Sequence, residues 1–161
     1  MRECAISILT QPMIDPVAFH DVSITCINQA AATYAIPAEL IMSIIFVEGG
    51  RNGIAMSNNN GTFDYGVMQI NTTWLPEAKE KGATAYDLQY DACENVMIGT
   101  WILSQNLAKE PNLLKAVGNY HSHTPALNYN YAQQVLFIYG KIRKILAPGI
   151  SPRCDKMGQV C

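Results

Sequence analysis

Charge is scarce in this chain of 161 residues: Asp, Glu, Lys and Arg make up 15% of it, against roughly 25% in an average globular protein. What charge there is nearly cancels, 11 Lys and Arg against 13 Asp and Glu for a formal net charge of −2. No positive field exists to hold a phosphate backbone, which excludes a nucleic-acid partner. Long apolar runs are missing too. The longest, Leu40 to Val47, is broken by Ser43 and falls far short of the roughly 18 residues needed to span a bilayer, so no transmembrane segment is expected. Near the start, Cys4 to Leu9 is a short stretch interrupted by Ser7 and followed by no small-residue cleavage pattern, so no signal peptide is evident in this chain. The five cysteines, Cys4, Cys26, Cys93, Cys154 and Cys161, show no C-x-x-C spacing, which gives no support to a zinc site or a thioredoxin-like motif. His121 and His123 form an H-x-H pair without carboxylate or cysteine company, and no metal is expected there. A disulfide framework and a set of reduced, buried cysteines both fit the count. In a framework the odd number leaves one thiol over, for which Cys4 is the candidate, and a Cys154–Cys161 bridge would order the tail.

Hydrophobic residues make up 49% of the chain, enough for one folded domain with a large core. No repeat or low-complexity segment interrupts it. The pattern divides into an N-terminal segment 1–14, a domain 15–147 and a tail 148–161 that begins with the breakers Pro148, Gly149 and Pro152. From Asp15, Phe19, Val22, Cys26, Ala30 and Tyr34 recur at helical spacing, predicting an amphipathic helix to Tyr34. Pro37 opens a second helix, apolar all round and therefore expected to be buried on every side, ending at Glu48 before Gly49 and Gly50. The Asn- and Gly-rich segment 51–66 predicts a small β-ribbon, with Asn58 to Gly61 as its turn between Ile54–Met56 and Thr62–Tyr65. Helices follow at about 74–81, 92–108, 113–120 and 129–146. Lys141, Arg143 and Lys144 near the end of the last helix read as a solvated, dipole-capping cluster rather than a binding patch.

Glu48 stands out because a carboxylate ends a helix that is otherwise apolar. Burial and the negative end of the helix dipole both disfavour the anion, so a raised pKa is expected, the condition for a general acid near neutrality. A side chain turned outward to water is the alternative. Asp64 lies sixteen residues on, across a ribbon able to fold back over the helix end. Two carboxylates on one cleft suit glycoside hydrolysis, in which one protonates the leaving oxygen and the other stabilises or attacks the sugar. An Asx-type turn beside Gly61 and Gly66 is the other role open to Asp64.

EGG at 48–50 followed by DYGVMQINTTW at 64–74 resembles the lysozyme-like superfamily, and within it the lytic transglycosylases with a soluble-type catalytic domain, especially small ones serving secretion, conjugation or pilus systems. DACENVMIGTWIL at 91–103, GNYHSHTP at 118–125 and NYNYAQQV at 128–135 follow in family order, so the resemblance covers about residues 22–140. It implies an α+β, mainly α, lysozyme-like fold with a small β-ribbon beside the cleft, acting on peptidoglycan glycan strands without cofactor or metal. Glu48 takes the place of the acid that protonates the glycosidic oxygen between N-acetylmuramic acid and N-acetylglucosamine. It would then accept the proton of the muramic acid's 6-hydroxyl, so that an intramolecular attack leaves a 1,6-anhydro sugar. Gln69 and Asn71 match cleft-lining positions and Met68 its floor. Tyr120 matches the family's aromatic cleft position, and Tyr131 the tyrosine that orients the catalytic carboxyl; His121, next to Tyr120, is read as substrate-binding, with an exposed loop residue as its other reading. Cys26 and Cys93 match a pair bridged in exported relatives, implying a disulfide and a periplasmic or exported location. The partners implied beyond the glycan are components of a secretion, conjugation or pilus apparatus.

The chain departs from the family pattern in three places. Gly49 replaces the serine that commonly follows the acid, His121-Ser122 stands where many relatives have Asn after the tyrosine, and the Asp64-Tyr65-Gly66 sequence resembles animal-type lysozymes. With Asp64 as a second carboxylate, a lysozyme-type hydrolase is the alternative activity; a non-catalytic glycan-binding or assembly module is the alternative of a different class.

Overall fold

The computed structural model describes residues 18–147. The N-terminal segment, the first residues of the predicted opening helix, Cys4, Cys154, Cys161 and the tail lie outside the described residues. Within them the chain is mainly helical with two small antiparallel sheets, the α+β architecture that the family resemblance implies.

The opening helix starts later than its periodicity suggests. Ala18–Phe19 (β1) and Val22–Ser23 (β2) pair as a hairpin, turned through His20 and Asp21 at φ of 48° and 66°. Helix α1 then runs Ile24–Tyr34, capped by the Ser23 hydroxyl, which accepts from the Thr25 N–H. Helix α2, Ala38–Glu48, follows Pro37 as predicted and stops where the Gly49 N–H returns to the Ile45 carbonyl. It is not buried on every side: Ile41, Ile44 and Ile45 are fully buried, whereas Phe46 is 48% exposed.

The ribbon has three strands, Ala55–Ser57 (β3), Phe63–Tyr65 (β4) and Ile70–Asn71 (β5), with Asp64 in the middle strand between Met56 and Asn71. A 3-10 turn, Thr72–Trp74, leads into α3 (Leu75–Glu80). Helix α4 (Ala85–Tyr90) was not among the predicted elements; a capping box between Thr84 and Asp87 holds its start. Helices α5 (Ala92–Lys109), α6 (Leu113–Gly118) and α7 (Pro125–Leu146) complete the order. Helix α7 begins four residues earlier than expected, because Pro125 suits a first helical turn.

Helix α1 packs on α5, and α2 on α7, which also covers α6. Their shared core includes Ile41, Ile44, Val67, Leu103 and Val135. A disulfide joins Cys26 of α1 to Cys93 of α5, with Cα atoms 5.3 Å apart. Among the described residues no single helix is long and apolar enough to cross a membrane.

Candidate active site

The end of α2 meets the ribbon at backbone-to-backbone distance. A Cβ on Gly50 would lie 2.1 Å from the Gly66 carbonyl oxygen, and one on Gly66 only 2.3 Å from the Asn95 amide nitrogen. Gly66 also sits at φ +65°, where a side chain is strained as well as crowded. The Gly-Gly after Glu48 is therefore more than a helix stop: Gly50 lets the chain leave α2 directly against the ribbon. Gly49, at φ +64° with open space around its Cβ position, occupies a left-handed conformation that a serine would adopt only with strain.

This junction opens a cavity of about 360 Å³ lined by Glu48, Asp64, Gln69, Asn71, Trp74 and Tyr120, among others. A second cavity, about 380 Å³, shares Glu48 and His121 with it and continues along α7 past Tyr131 and Asn130. Glu48 thus stands where the two meet.

The Tyr131 hydroxyl donates to Glu48 Oε1 at 2.6 Å. Burial pushes the Glu48 carboxyl from the ordinary 4.5 up to about 7; the Tyr131 hydrogen bond opposes the rise and the charge of Asp64 adds to it. At neutral pH a large fraction of Glu48 is therefore protonated, the state a general acid must occupy. Tyr131 and Tyr120 are both pushed well above the usual phenol range by burial and by Glu48, so both remain hydrogen-bond donors. Replacing Tyr131 by phenylalanine removes the one interaction that favours the Glu48 anion. Carbon-detected NMR of the Glu48 carboxyl is expected to show its midpoint rising above 7 in Tyr131→Phe; an unchanged midpoint would mean the bond is not formed in solution.

His121 lies flat against Tyr131, ring centroids 4.9 Å apart and 9° between planes. Tyr120 is parallel to Tyr131 at 6.5 Å, and its hydroxyl donates to the Met68 carbonyl at 3.0 Å. Met68 itself is fully buried against Gly99. Its side chain lies beneath the cleft rather than forming the floor; its backbone supplies the acceptor that holds Tyr120. Gln69 lines the cavity with its Nε2 donating to the Gly66 carbonyl at 2.8 Å.

Asp64 both faces the cavity and takes part in a turn network, so the two roles open to it in the sequence are not exclusive. Its Oδ1 accepts from the Asn71 side-chain amide at 2.7 Å and its Oδ2 from that of Asn58 at 2.9 Å. Asn71 is therefore committed to the carboxylate as well as lining the cleft. Asn58 was hidden in the sequence, where the asparagine run reads only as a turn. Asn95 was missed as well: fully buried, its amide donates to the Tyr65 and Leu88 carbonyls while its oxygen accepts from the Met68 N–H. Among the described residues no cluster of His, Cys, Asp and Glu has the geometry to hold a metal ion.

The family model of the transglycosylase SLT domain matches residues 25–135. The chain is 29% identical over 135 residues to a peptidoglycan-binding-like protein of Escherichia coli O157:H7, an alignment covering 76% of this chain and 81% of that protein. It is 33% identical over 100 residues to protein IpgF of Shigella sonnei, covering 62% of this chain and 66% of the relative. To invasion protein IagB of Salmonella typhi it is 29% identical over 127 residues, covering 76% and 79%.

Proposed function

We propose that this chain, which belongs to the transglycosylase SLT domain family, cleaves the β-1,4 bond between N-acetylmuramic acid and N-acetylglucosamine in peptidoglycan and leaves 1,6-anhydro ends. The observation that carries this reading is Glu48 itself: one carboxyl, raised to about 7 by burial, oriented by Tyr131 at the junction of two cavities. Glu48 gives its proton to the glycosidic oxygen as the C1–O bond breaks, releasing the glucosamine side as an alcohol. The resulting carboxylate takes the proton from the muramic acid 6-hydroxyl, whose oxygen closes on C1. Glu48 ends protonated, no water is consumed, and one residue serves as acid and then base.

A retaining hydrolase is the second reading, favoured by one observation: Asp64 shares the cavity with Glu48. Mass spectrometry of soluble fragments from purified peptidoglycan separates the two. Anhydro-muropeptides are the expected product, formed at a rate that declines as pH rises through about 7 and Glu48 loses its proton. Reducing ends with incorporated solvent oxygen would instead establish the hydrolase, and no fragments at all would sink both. The substrate puts the protein's workplace in the cell-wall compartment, outside the cytoplasm. Local opening of the wall for a secretion, conjugation or pilus apparatus is the biological role we infer, supported by the likeness to invasion protein IagB.

A further inference from the structure

The turn between β3 and β4 contains three consecutive asparagines, and the side chain of the first, Asn58, reaches Asp64. Asn58 forms the turn through its backbone: its N–H donates to the Thr62 carbonyl at 2.8 Å and its own carbonyl accepts from the Gly61 N–H at 3.1 Å. The side chain is not needed for that. Its amide reaches Asp64 Oδ2 at 2.9 Å, while Asn71 reaches Oδ1 at 2.7 Å, so each carboxylate oxygen has its own donor.

The donors are themselves held in direction. Both amide nitrogens lie within reach of the Thr62 hydroxyl oxygen, at 3.0 Å for Asn58 and 3.1 Å for Asn71. The hydroxyl's own proton goes to the Asn60 side-chain oxygen at 2.7 Å, which leaves the Thr62 oxygen free to accept. Asn71 cannot flip its amide without losing the bond from the Thr73 N–H to its oxygen at 3.0 Å. Each of the two amides therefore splits its two N–H groups between an Asp64 oxygen and the Thr62 hydroxyl oxygen, which holds it in direction. A carboxylate on a two-torsion side chain is otherwise free to turn; two charge-assisted hydrogen bonds, one to each oxygen, fix it.

We propose that Asn58 is a positioning residue that, with Thr62 and Asn71, forms an amide cradle fixing the Asp64 carboxylate in the cavity it shares with Glu48. The inference rests on the glycan-cleaving function proposed above and deepens it. As the C1–O bond breaks, positive charge develops on the sugar ring, and a negative group already oriented stabilises that charge without having to reorganise.

A double-mutant cycle tests whether Asn58 acts through Asp64. Initial rates of fragment release are compared for the wild type, Asn58→Ala, Asp64→Asn and the double variant, with thermal melting of each. Asn58→Ala is expected to lower kcat about tenfold with KM unchanged, and to have no further effect in the Asp64→Asn background. Asn58→Asp, which keeps the shape but offers an acceptor in place of the donor, is expected to lose more than Asn58→Ala. A tenfold loss that recurs in the Asp64→Asn background would make Asn58 a merely structural residue, and an Asp64→Asn variant as fast as wild type would leave the cradle without a function; either overturns the proposal. NMR titration of Glu48 needs no turnover and separates failures. With the cradle intact Asp64 adds to the rise of the Glu48 midpoint, so Asn58→Ala should lower that midpoint toward its value in Asp64→Asn. If the wild type releases no fragments but the midpoint responds, the function falls and the cradle stands; a midpoint indifferent to Asn58 overturns the cradle.

Discussion

Replacing Glu48 by glutamine is expected to stop fragment release, by at least about a thousandfold, while making the folded protein more stable at neutral pH and above. The two effects have one cause. Glutamine is nearly isosteric and its oxygen still accepts from the Tyr131 hydroxyl, so the site keeps its shape, but it has no proton to give. The stability effect follows from the raised carboxyl. Unfolded, Glu48 ionises near 4.5, whereas in the fold it ionises near 7. Below 4.5 both states hold the proton and Glu48 costs the fold nothing through ionisation. As pH rises from there the unfolded chain ionises first and stability declines, until above about 7 the fold carries a penalty of about 3 kcal/mol. The variant escapes this penalty. For a chain of this size the melting temperature of Glu48→Gln should exceed that of the wild type by roughly 6–12 °C at pH 8 and match it at pH 4. Equal melting temperatures at pH 8 would show that Glu48 is solvated and that its acidity is ordinary.

Reduction of the Cys26–Cys93 bridge is the second large effect. The bond closes a loop across a sequence separation of 67 residues, and in the chain-entropy account a crosslink of that span stabilises the fold by about 4 kcal/mol. Melting with and without a phosphine reductant, checked against a Cys26→Ala/Cys93→Ala variant, should show a drop of roughly 8–16 °C. No residue of α1 lines either cavity, so below its melting point the reduced protein should keep its cleavage rate. A reduced protein as stable as the oxidised one would mean that the thiols are not bridged in the native state.

How much of this could be read from the chain depended on the length of each signal. Helices α2, α5 and α7 each extend eleven residues or more, long enough for apolar periodicity to identify them. The β1–β2 hairpin and β5 consist of two-residue strands, too short for any alternation to register, and the helical spacing of Phe19 and Val22 was accidental. Helix α4 did carry a local signal, Thr84 three residues before Asp87, but its six residues offered little pattern to support it. At the site, Glu48 was legible because a carboxylate at the end of an apolar helix is anomalous. Asn58 was not, because asparagine is so ordinary in a turn that a second duty leaves no mark on composition or spacing. The roles of Tyr120 and Tyr131 came from resemblance alone, since partners 52 and 83 residues away in the chain are set by tertiary packing.

The buried side chain of Asn95 works as a rivet between parts that would otherwise slide. It is attached through α5, and its three hydrogen bonds fasten the ends of β4, α4 and the loop leading to β5. None of the three can lengthen without leaving a polar group stranded away from water, at about 1–3 kcal/mol each. The ribbon that carries Asp64 is therefore fastened to α5 and α4 through a single buried amide.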